Sequence, residues 1–375
     1  MIRNVLISGA GVAGLALAYW LERAGVETTI VERTPAFRRG GQAVDIRGVA
    51  LEVVEAMGLL EQARELRTQL KGMSMLDSEG NEASRTTERT YSAGRLDSPD
   101  IEIFRDDLCE LLMTSLGKNV EFIYGDSITA IGSAGPTAHV SFEHASQRAF
   151  DLIVGADGVY SKTRRLVFDN ESSVVKPLDV VLALFTTPNL LNLDAWQLGH
   201  REDGVGVIIY PNLDKSELRI GVGFGTNGAN IPRGDLAAQK EQVAAQGKHL
   251  GGPFPALFQV MRDTPEFYYN ELAQVRMPQW SQGPVVLAGD AAHCASPFSG
   301  QGTSLALVGA FVLGRELALH PDQREIALQR YEERMRPFVA LNQDMVDLTH
   351  KGPIPDEIMT RAKNGIDLAD LLATT

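Results

Sequence analysis

Three glycines at 9, 11 and 14, in the run GAGVAG, sit between a short apolar stretch (RNVLIS, 3–8) and a helix-patterned one (GLALAYWLERAG, 14–25). In that setting Gly9 permits a tight turn, Gly11 lets a pyrophosphate approach the backbone, and Gly14 allows close helix–strand packing. Val12 and Ala13 lie inside the same motif, at the mouth of a helix whose free N–H groups and dipole favour phosphate. Glu32 follows 18 residues after Gly14, at the end of the next apolar run (ETTIVER, 27–33), with Arg33 beside it. A carboxylate there accepts both hydroxyls of a ribose and favours a free 2′-hydroxyl over a 2′-phosphate. The chemistry implied is dinucleotide binding.

A second match, Gly223-x-Gly225-x-x-Gly228, also follows a strand pattern. It runs into ANIPRGD, whose proline opens no helix, so it reads as a strand end and a loop. GDAAHCASPFSGQG (289–302) offers Asp290, His293 and Cys294 in one short stretch. A metal centre needs three or four converging ligands, and none of the seven histidines stands at the i, i+4 spacing of a helical zinc pair. A reactive thiol needs an orienting base, which sequence adjacency of His293 does not supply. No metal is expected; His293 is assigned to a local backbone contact within the turn.

GADGVYSKTRR (155–165) and GDAAHCASPFSGQG each close a buried-strand pattern far from the fingerprint. With GxGxxG first, D-G in the middle and G-D followed by P-x-x-G-Q-G late, the chain resembles the class A flavin-dependent aromatic hydroxylases over nearly its whole length. GGQAVDIRG (40–48), SPDIEIFRDDL (98–108) and AWQLG (195–199) are similar to stretches of the tetracycline-inactivating flavin monooxygenases. The tryptophan-rich W-x-W-x-I-P stretch of related halogenases is absent.

The resemblance implies FAD as cofactor, NADPH or NADH as transient reductant, and O2 delivered through a flavin hydroperoxide to an aromatic, polyketide-like or other electron-rich small molecule. It assigns Glu32 to the adenosine ribose, Arg105 to the flavin side, Asp157 to the turn supporting FAD and nicotinamide, and Asp290 to the ribityl chain. It sets Pro297, Gly300, Gln301 and Gly302 against the flavin pyrimidine ring. Arg164 and Arg165 either assist that site or form a basic surface cluster; Arg105 could instead pair with Asp106 or Glu110. Arg47 is expected to touch substrate or flavin, or to make a structural salt bridge. Gln197 resembles a substrate-contacting glutamine, and Arg219 and Phe224 are expected to line the same cavity. The cofactor carries the hard chemistry, so no side chain is assigned as catalytic.

The elements that must hold these residues read as follows. Strand, helix and strand over 3–33 form a parallel module, followed by a loop over 34–48 and an amphipathic helix near 49–67. MSMLDSEGNEASR is a hairpin turning at Glu79-Gly80-Asn81, 105–117 is a helix, and VEFIYGDSITAI, AHVSFE and FDLIVGADG are strands. From 176 to 280 the pattern is mostly extended, with VGVIIYP and ELRIGVGF as an antiparallel hairpin and one helical stretch near 251–265. Helices are expected over 303–319, 324–347 and 356–372.

The fold class is α/β: a Rossmann-like FAD-binding domain from 1–70, 101–175 and 281–321. An antiparallel-sheet substrate domain (71–100 and 176–280) is interleaved with it, and C-terminal helices (322–375) bridge the two. A net charge of −13 argues against a nucleic-acid partner, and two cysteines fit a reducing cytoplasm rather than a disulfide framework. The glycine-interrupted N-terminus reads as neither signal peptide nor membrane span, and a monomer is expected. Two other functions remain open: a flavin oxidoreductase of the same fold that inserts no oxygen, and a flavin-binding protein without turnover.

Overall fold

Alternating β-branched and apolar residues at the amino terminus feed a parallel sheet covered on both faces, where strands read as continuous hydrophobic runs. The computed structural model describes residues 1–37, 40–134, 137–168, 171–228, 231–348 and 354–374. Six strands lie in the order Ser281–Gln282, Val285–Leu287, Leu152–Gly155, Asn4–Ser8, Glu27–Glu32, Val120–Tyr124. Every neighbouring pair is parallel except the first. The chain leaves Asn4–Ser8 toward Glu27–Glu32 and later returns to its other side, so strand order reverses between Asn4–Ser8 and Leu152–Gly155. Ligands of open α/β sheets bind at such a reversal, beyond the carboxyl ends of the strands.

The fingerprint helix Val12–Arg23 is buried continuously from Ala13 to Leu21, because it lies between this sheet and the helix Gly302–Leu319. Gly314 lets the two helices approach: a Cβ there would stand 2.6 Å from that of Trp20. Gly302–Leu319 is long and apolar enough to cross a membrane, but 72% of it is buried inside the protein. It is the central core helix, packed also on Val49–Ala56 and Arg324–Asp344.

A second, seven-stranded sheet runs Phe267–Val275, Val175–Pro188, Glu217–Gly225, Val205–Pro211, Gln197–Glu202, Met73–Leu76, Glu82–Thr86. The expected hairpins at 73–86 and 205–225 are present. The sheet is not wholly antiparallel, since Gln197–Glu202 pairs parallel to Met73–Leu76. Alternation divides its faces. Val181, Val205, Val207, Ile220, Val222 and Phe224 bury against the helices Leu236–Gln246 and Phe254–Asp263. The opposite face carries Leu182, Gly206, Ile208, Gly223 and Asn270, all half-exposed.

Four local expectations need correction. Residues 43–46, expected in a loop, form a strand paired antiparallel with Ile101–Phe104. The single helix expected near 49–67 is two, Val49–Ala56 and Leu60–Glu65, broken where Gly58 turns left-handed at φ +71°. The helix over 356–372 is also two, Asp356–Lys363 and Ala369–Leu372. Leu236–Gln246, in the region read as mostly extended, is a helix capped by the Asp235 carboxylate, which accepts from the Ala238 N–H at 3.1 Å.

Candidate active site

Each glycine of the fingerprint does a separate task. Gly9 has φ +112°, and a Cβ on it would lie 2.5 Å from the Ala156 carbonyl oxygen, so the first and second motif loops touch. A Cβ on Gly14 would lie 2.0 Å from the Gly9 carbonyl oxygen, inside the turn itself. Gly11 is the helix N-cap, and a Cβ there would meet nothing within 4 Å. The exposed flank of Gly11 is where a phosphate can reach the N–H groups of the helix end. Glu32, at the end of its strand, accepts from the Ala10 N–H at 3.0 Å and the Thr34 N–H at 3.0 Å. Arg33 is exposed beside it.

The third motif joins the other two. Gly289, at φ +58°, leaves room for Ala13, whose Cβ would be 2.7 Å from a Cβ at 289. Asp157 accepts from the Ser161 hydroxyl and from the Thr163 N–H at 2.9 Å, which locks its turn. Arg164 is fully buried and ties the second motif to the third, donating to the Val159 carbonyl at 2.6 Å and the Ala291 carbonyl at 2.8 Å. The surface-cluster alternative is therefore wrong for Arg164; Arg165 is exposed.

Asp290 is open to solvent, yet surrounding protein strips hydration from its carboxyl and raises its pKa, a shift that a hydrogen bond with Cys294 opposes. Exposure combined with desolvation marks a group at the bottom of a cleft. Arg105 opens the helix Arg105–Thr114 and leans over Gly41, its Nε 3.2 Å from the position of a Cβ there. Neither expected acid holds it: the Asp106 carboxylate accepts from the Gly40 N–H at 2.8 Å and sits 3.5 Å from Arg219. Charges on Arg105 and Asp290 both act on the exposed Tyr268 phenol, which stands on the half-open sheet face.

The Pro297–Gly302 run turns with Pro297 and Phe298 exposed and with Gly300 left-handed at φ +60°. Just before it, buried Ser296 holds φ +79° and ψ 150°, a region nearly reserved for glycine, and its hydroxyl accepts from the Phe298 N–H at 3.3 Å. Gln301 is fully buried with Oε1 unpartnered. Gly302 starts the 18-residue helix with open space where a Cβ would stand.

His293 and Cys294 carry no reactive thiol or metal geometry. Burial holds the Cys294 thiol well above its ordinary pKa, with Asp290 adding to the shift. The His293 ring packs 4.8 Å from Trp280 and 3.5 Å from the Tyr331 hydroxyl, and it also hydrogen-bonds its own backbone, the local contact expected of it. Among the described residues no three His, Cys, Asp or Glu side chains gather for a metal.

This geometry suits a dinucleotide with an extended second half: two glycine-lined approaches at helix ends, a ribose-type carboxylate, and an acid deep in the cleft between them. A family model for the FAD binding domain matches residues 3–346. The chain belongs to that family. This flavin monooxygenase is 43% identical over 371 residues to the uncharacterized protein Rv1260 of Mycobacterium tuberculosis (strain H37Rv), covering 98% of this chain and 100% of the relative. It is 32% identical to a flavin-dependent monooxygenase of Legionella longbeachae, covering 91% of this chain and 87% of the relative. The crystal structure of tetracycline destructase Tet(55) superposes with a TM-score of 0.88 at 31% identity, covering 98% of both chains. The family, the FAD-binding fold and the enzyme class are thus established.

The four residues expected at the substrate fare unequally in the flavin monooxygenase. Arg219 and Phe224 cannot line one cavity: five positions apart on the strand Glu217–Gly225, they point to opposite faces. Phe224 is core, against the helices. Arg219 faces the cleft side, where its guanidinium donates to the Thr186 hydroxyl at 3.1 Å and leaves Nε unpartnered. Gln197 is fully buried with both ends engaged, accepting from the Tyr91 N–H at 2.7 Å and donating to the Ser92 hydroxyl at 2.6 Å. Arg47 makes the structural pair, 2.8 Å to Asp45, with its guanidinium 3.1 Å from the position of a Cβ on Gly300. Sequence reading missed Tyr268 and the ribbon strands Ala43–Ile46 and Ile101–Phe104; alternation in QAVDI and DIEIF was the available signal.

Proposed function

We propose that this chain is an FAD-dependent monooxygenase that uses NADPH or NADH and O2 to hydroxylate an electron-rich, aromatic or polyketide-like small molecule. The observation that carries the reading is the meeting of three motif loops at the strand-order reversal, facing the half-open surface of the seven-stranded sheet. When bound, FAD supplies hydride acceptance from reduced nicotinamide and activation of oxygen.

The chain's own residues bind, orient and exclude water. Gly9, Gly11, Val12, Ala13 and Gly14 hold the pyrophosphate at the fingerprint helix, with Glu32 and Arg33 at the adenosine ribose. Arg105, free of its neighbouring acids, supplies a planar cation on the flavin side. Asp290 accepts from ribityl hydroxyls, and Asp157 keeps its turn fixed beside Gly9. Pro297, Gly300, Gln301 and Gly302 aim the N-terminus of the helix Gly302–Leu319 at the pyrimidine end, where its dipole offsets negative charge.

In this reading the parallel sheet with its flanking helices is the cofactor domain. The seven-stranded sheet is the substrate domain, its glycine-paved face (Gly206, Gly223) giving a planar ligand room to lie flat. Kinship with a tetracycline destructase favours a polycyclic aromatic polyketide as the substrate class. We take the enzyme to act as a cytoplasmic monomer without nucleic-acid or membrane partners; two buried free thiols suit a reducing compartment.

The test is a panel of phenols and polyketides offered with NADPH or NADH in air, following nicotinamide oxidation, oxygen uptake and product mass. A compound that stimulates both and gains one oxygen atom supports the proposal. Stimulated nicotinamide oxidation with a product that gains no oxygen would replace it with dehydrogenation.

A further inference from the structure

Beneath the Gly300 turn lies a buried charge cluster to which the functional reading assigns no role. The ribbon sets Asp45 directly opposite Glu102 across an antiparallel pair. Opposed residues share a face, and like charges there repel. Glu102 is 6% exposed and the Asp45 side chain 11%. From the elements packed around them, Arg47 binds Asp45 at 2.8 Å, and Lys363 of the C-terminal helix Asp356–Lys363 binds Asp100 at 2.7 Å. The Tyr210 phenol of the seven-stranded sheet also faces the pair and feels both acids, as well as Arg219.

Three carboxyls thus meet two cations. Asp45 and Asp100 each have a cation; Glu102 has only hydroxyl partners. Thr68 donates to its Oε2, and the Ser92 side chain also hydrogen-bonds the carboxyl; among the described residues no cation is bound to it directly. A buried carboxylate opposite a second acid, with only neutral hydroxyls for partners, is an arrangement that proteins relieve by protonation. Desolvation pushes both carboxyls upward, Asp45 to about 7, against the pull of Arg47 on each.

We propose that Asp45 and Glu102 share a single proton and act as positioning residues, setting the charge that Arg47 presents to the Gly300 turn. With the proton held, the five-member cluster is electrically neutral. Without it, one negative charge stands beside Arg47, whose guanidinium lies against Gly300 and donates to the Ser92 carbonyl at 3.4 Å. This step rests on reading that turn as the flavin-facing one. Negative charge there opposes charge accumulation on reduction, so loss of the proton lowers the flavin midpoint potential.

The sign for stability follows from linkage. The folded chain holds a proton on this pair that the unfolded chain has already released, so the pair's contribution to stability falls as pH rises toward 7 and levels off above it. For one proton the folding constant changes about tenfold per pH unit in that window.

The experiment compares wild type with Glu102→Gln, which keeps shape and neutrality, and with Asp45→Asn should the first not fold. Urea unfolding of the apoprotein from pH 5 to 8 is expected to show wild type losing stability relative to the variant as pH rises toward 7, with a constant difference above it. Infrared spectra of wild type alone, titrated over the same range, are expected to show a protonated carboxylic acid carbonyl band at pH 6 that fades by pH 8. The FAD midpoint potential of the holoprotein is expected to fall more steeply with pH in wild type than in Glu102→Gln. An unchanged unfolding slope, or no protonated-acid band, would overturn the shared proton. Equal potential slopes in both proteins would overturn its link to the Gly300 turn. A chain that fails to bind FAD would defeat the functional reading while leaving the unfolding and infrared results to judge the pair.

Discussion

At Gly14 a Cβ would lie 2.0 Å from a backbone oxygen, whereas at Gly11 it would meet nothing within 4 Å, and Gly11 has an ordinary φ of −86°. Gly14→Ala is therefore expected to cost several kcal/mol, on the order of 2–4, through backbone displacement. Gly11→Ala is expected to leave apoprotein melting unchanged while weakening FAD retention tenfold or more, because its methyl occupies the phosphate approach. Melting curves of both apoproteins and flavin retention on ultrafiltration check this; equal melting losses would contradict it. These roles were legible in the sequence because the turn, the helix start and the glycine spacing are all local. Arg164 was not legible: nothing about TRR says that its first arginine is buried across two loops brought together only by the sheet.

The strand Glu217–Gly225 shows what alternation can and cannot decide at the scale of an element. Its odd positions face the cleft and its even positions face two helices, so Phe224 is core although the segment as a whole borders the site. Counting positions from Arg219 would have separated them without a structure. Phe224→Ala is expected to cost about 3–5 kcal/mol by opening a core cavity. Gly223→Ala, whose Cβ would come only within 3.9 Å of the Val181 carbonyl, is expected to keep stability within about 0.5 kcal/mol and to raise KM for a flat substrate. Denaturant unfolding and steady-state kinetics on the two variants test the face assignment. The ribbon strands were missed because four residues of alternation are too few to outweigh flanking glycines, and their pairing is long-range. The split of 49–67 was readable at Gly58, as was the missed helix Leu236–Gln246 at its Asp235 cap.

Over the whole molecule, the family motifs fall at three adjacent strand ends, and that placement, more than any single side chain, makes the site. The same packing buries His293 between Trp280 and Tyr331 with Arg336 nearby, lowering its pKa to about 4. The unfolded chain binds its proton near pH 6.5, so this histidine contributes stability that is full above that value and is lost as pH falls toward 4. The expected loss is up to about 3 kcal/mol. In urea unfolding, wild type is expected to gain stability on His293→Gln as pH rises from 4 to 6.5, and a difference that stays constant with pH would show that His293 is not held neutral.

The substrate was the part that sequence could not supply, since it depends on a cleft assembled from both sheets. Oxygen insertion is tested by turnover of a stimulating substrate under isotopically labelled O2, with the product weighed by mass spectrometry. One labelled oxygen atom is expected in the product for each nicotinamide oxidised in coupled turnover. A product carrying no label, with all the oxygen recovered as hydrogen peroxide, would contradict it.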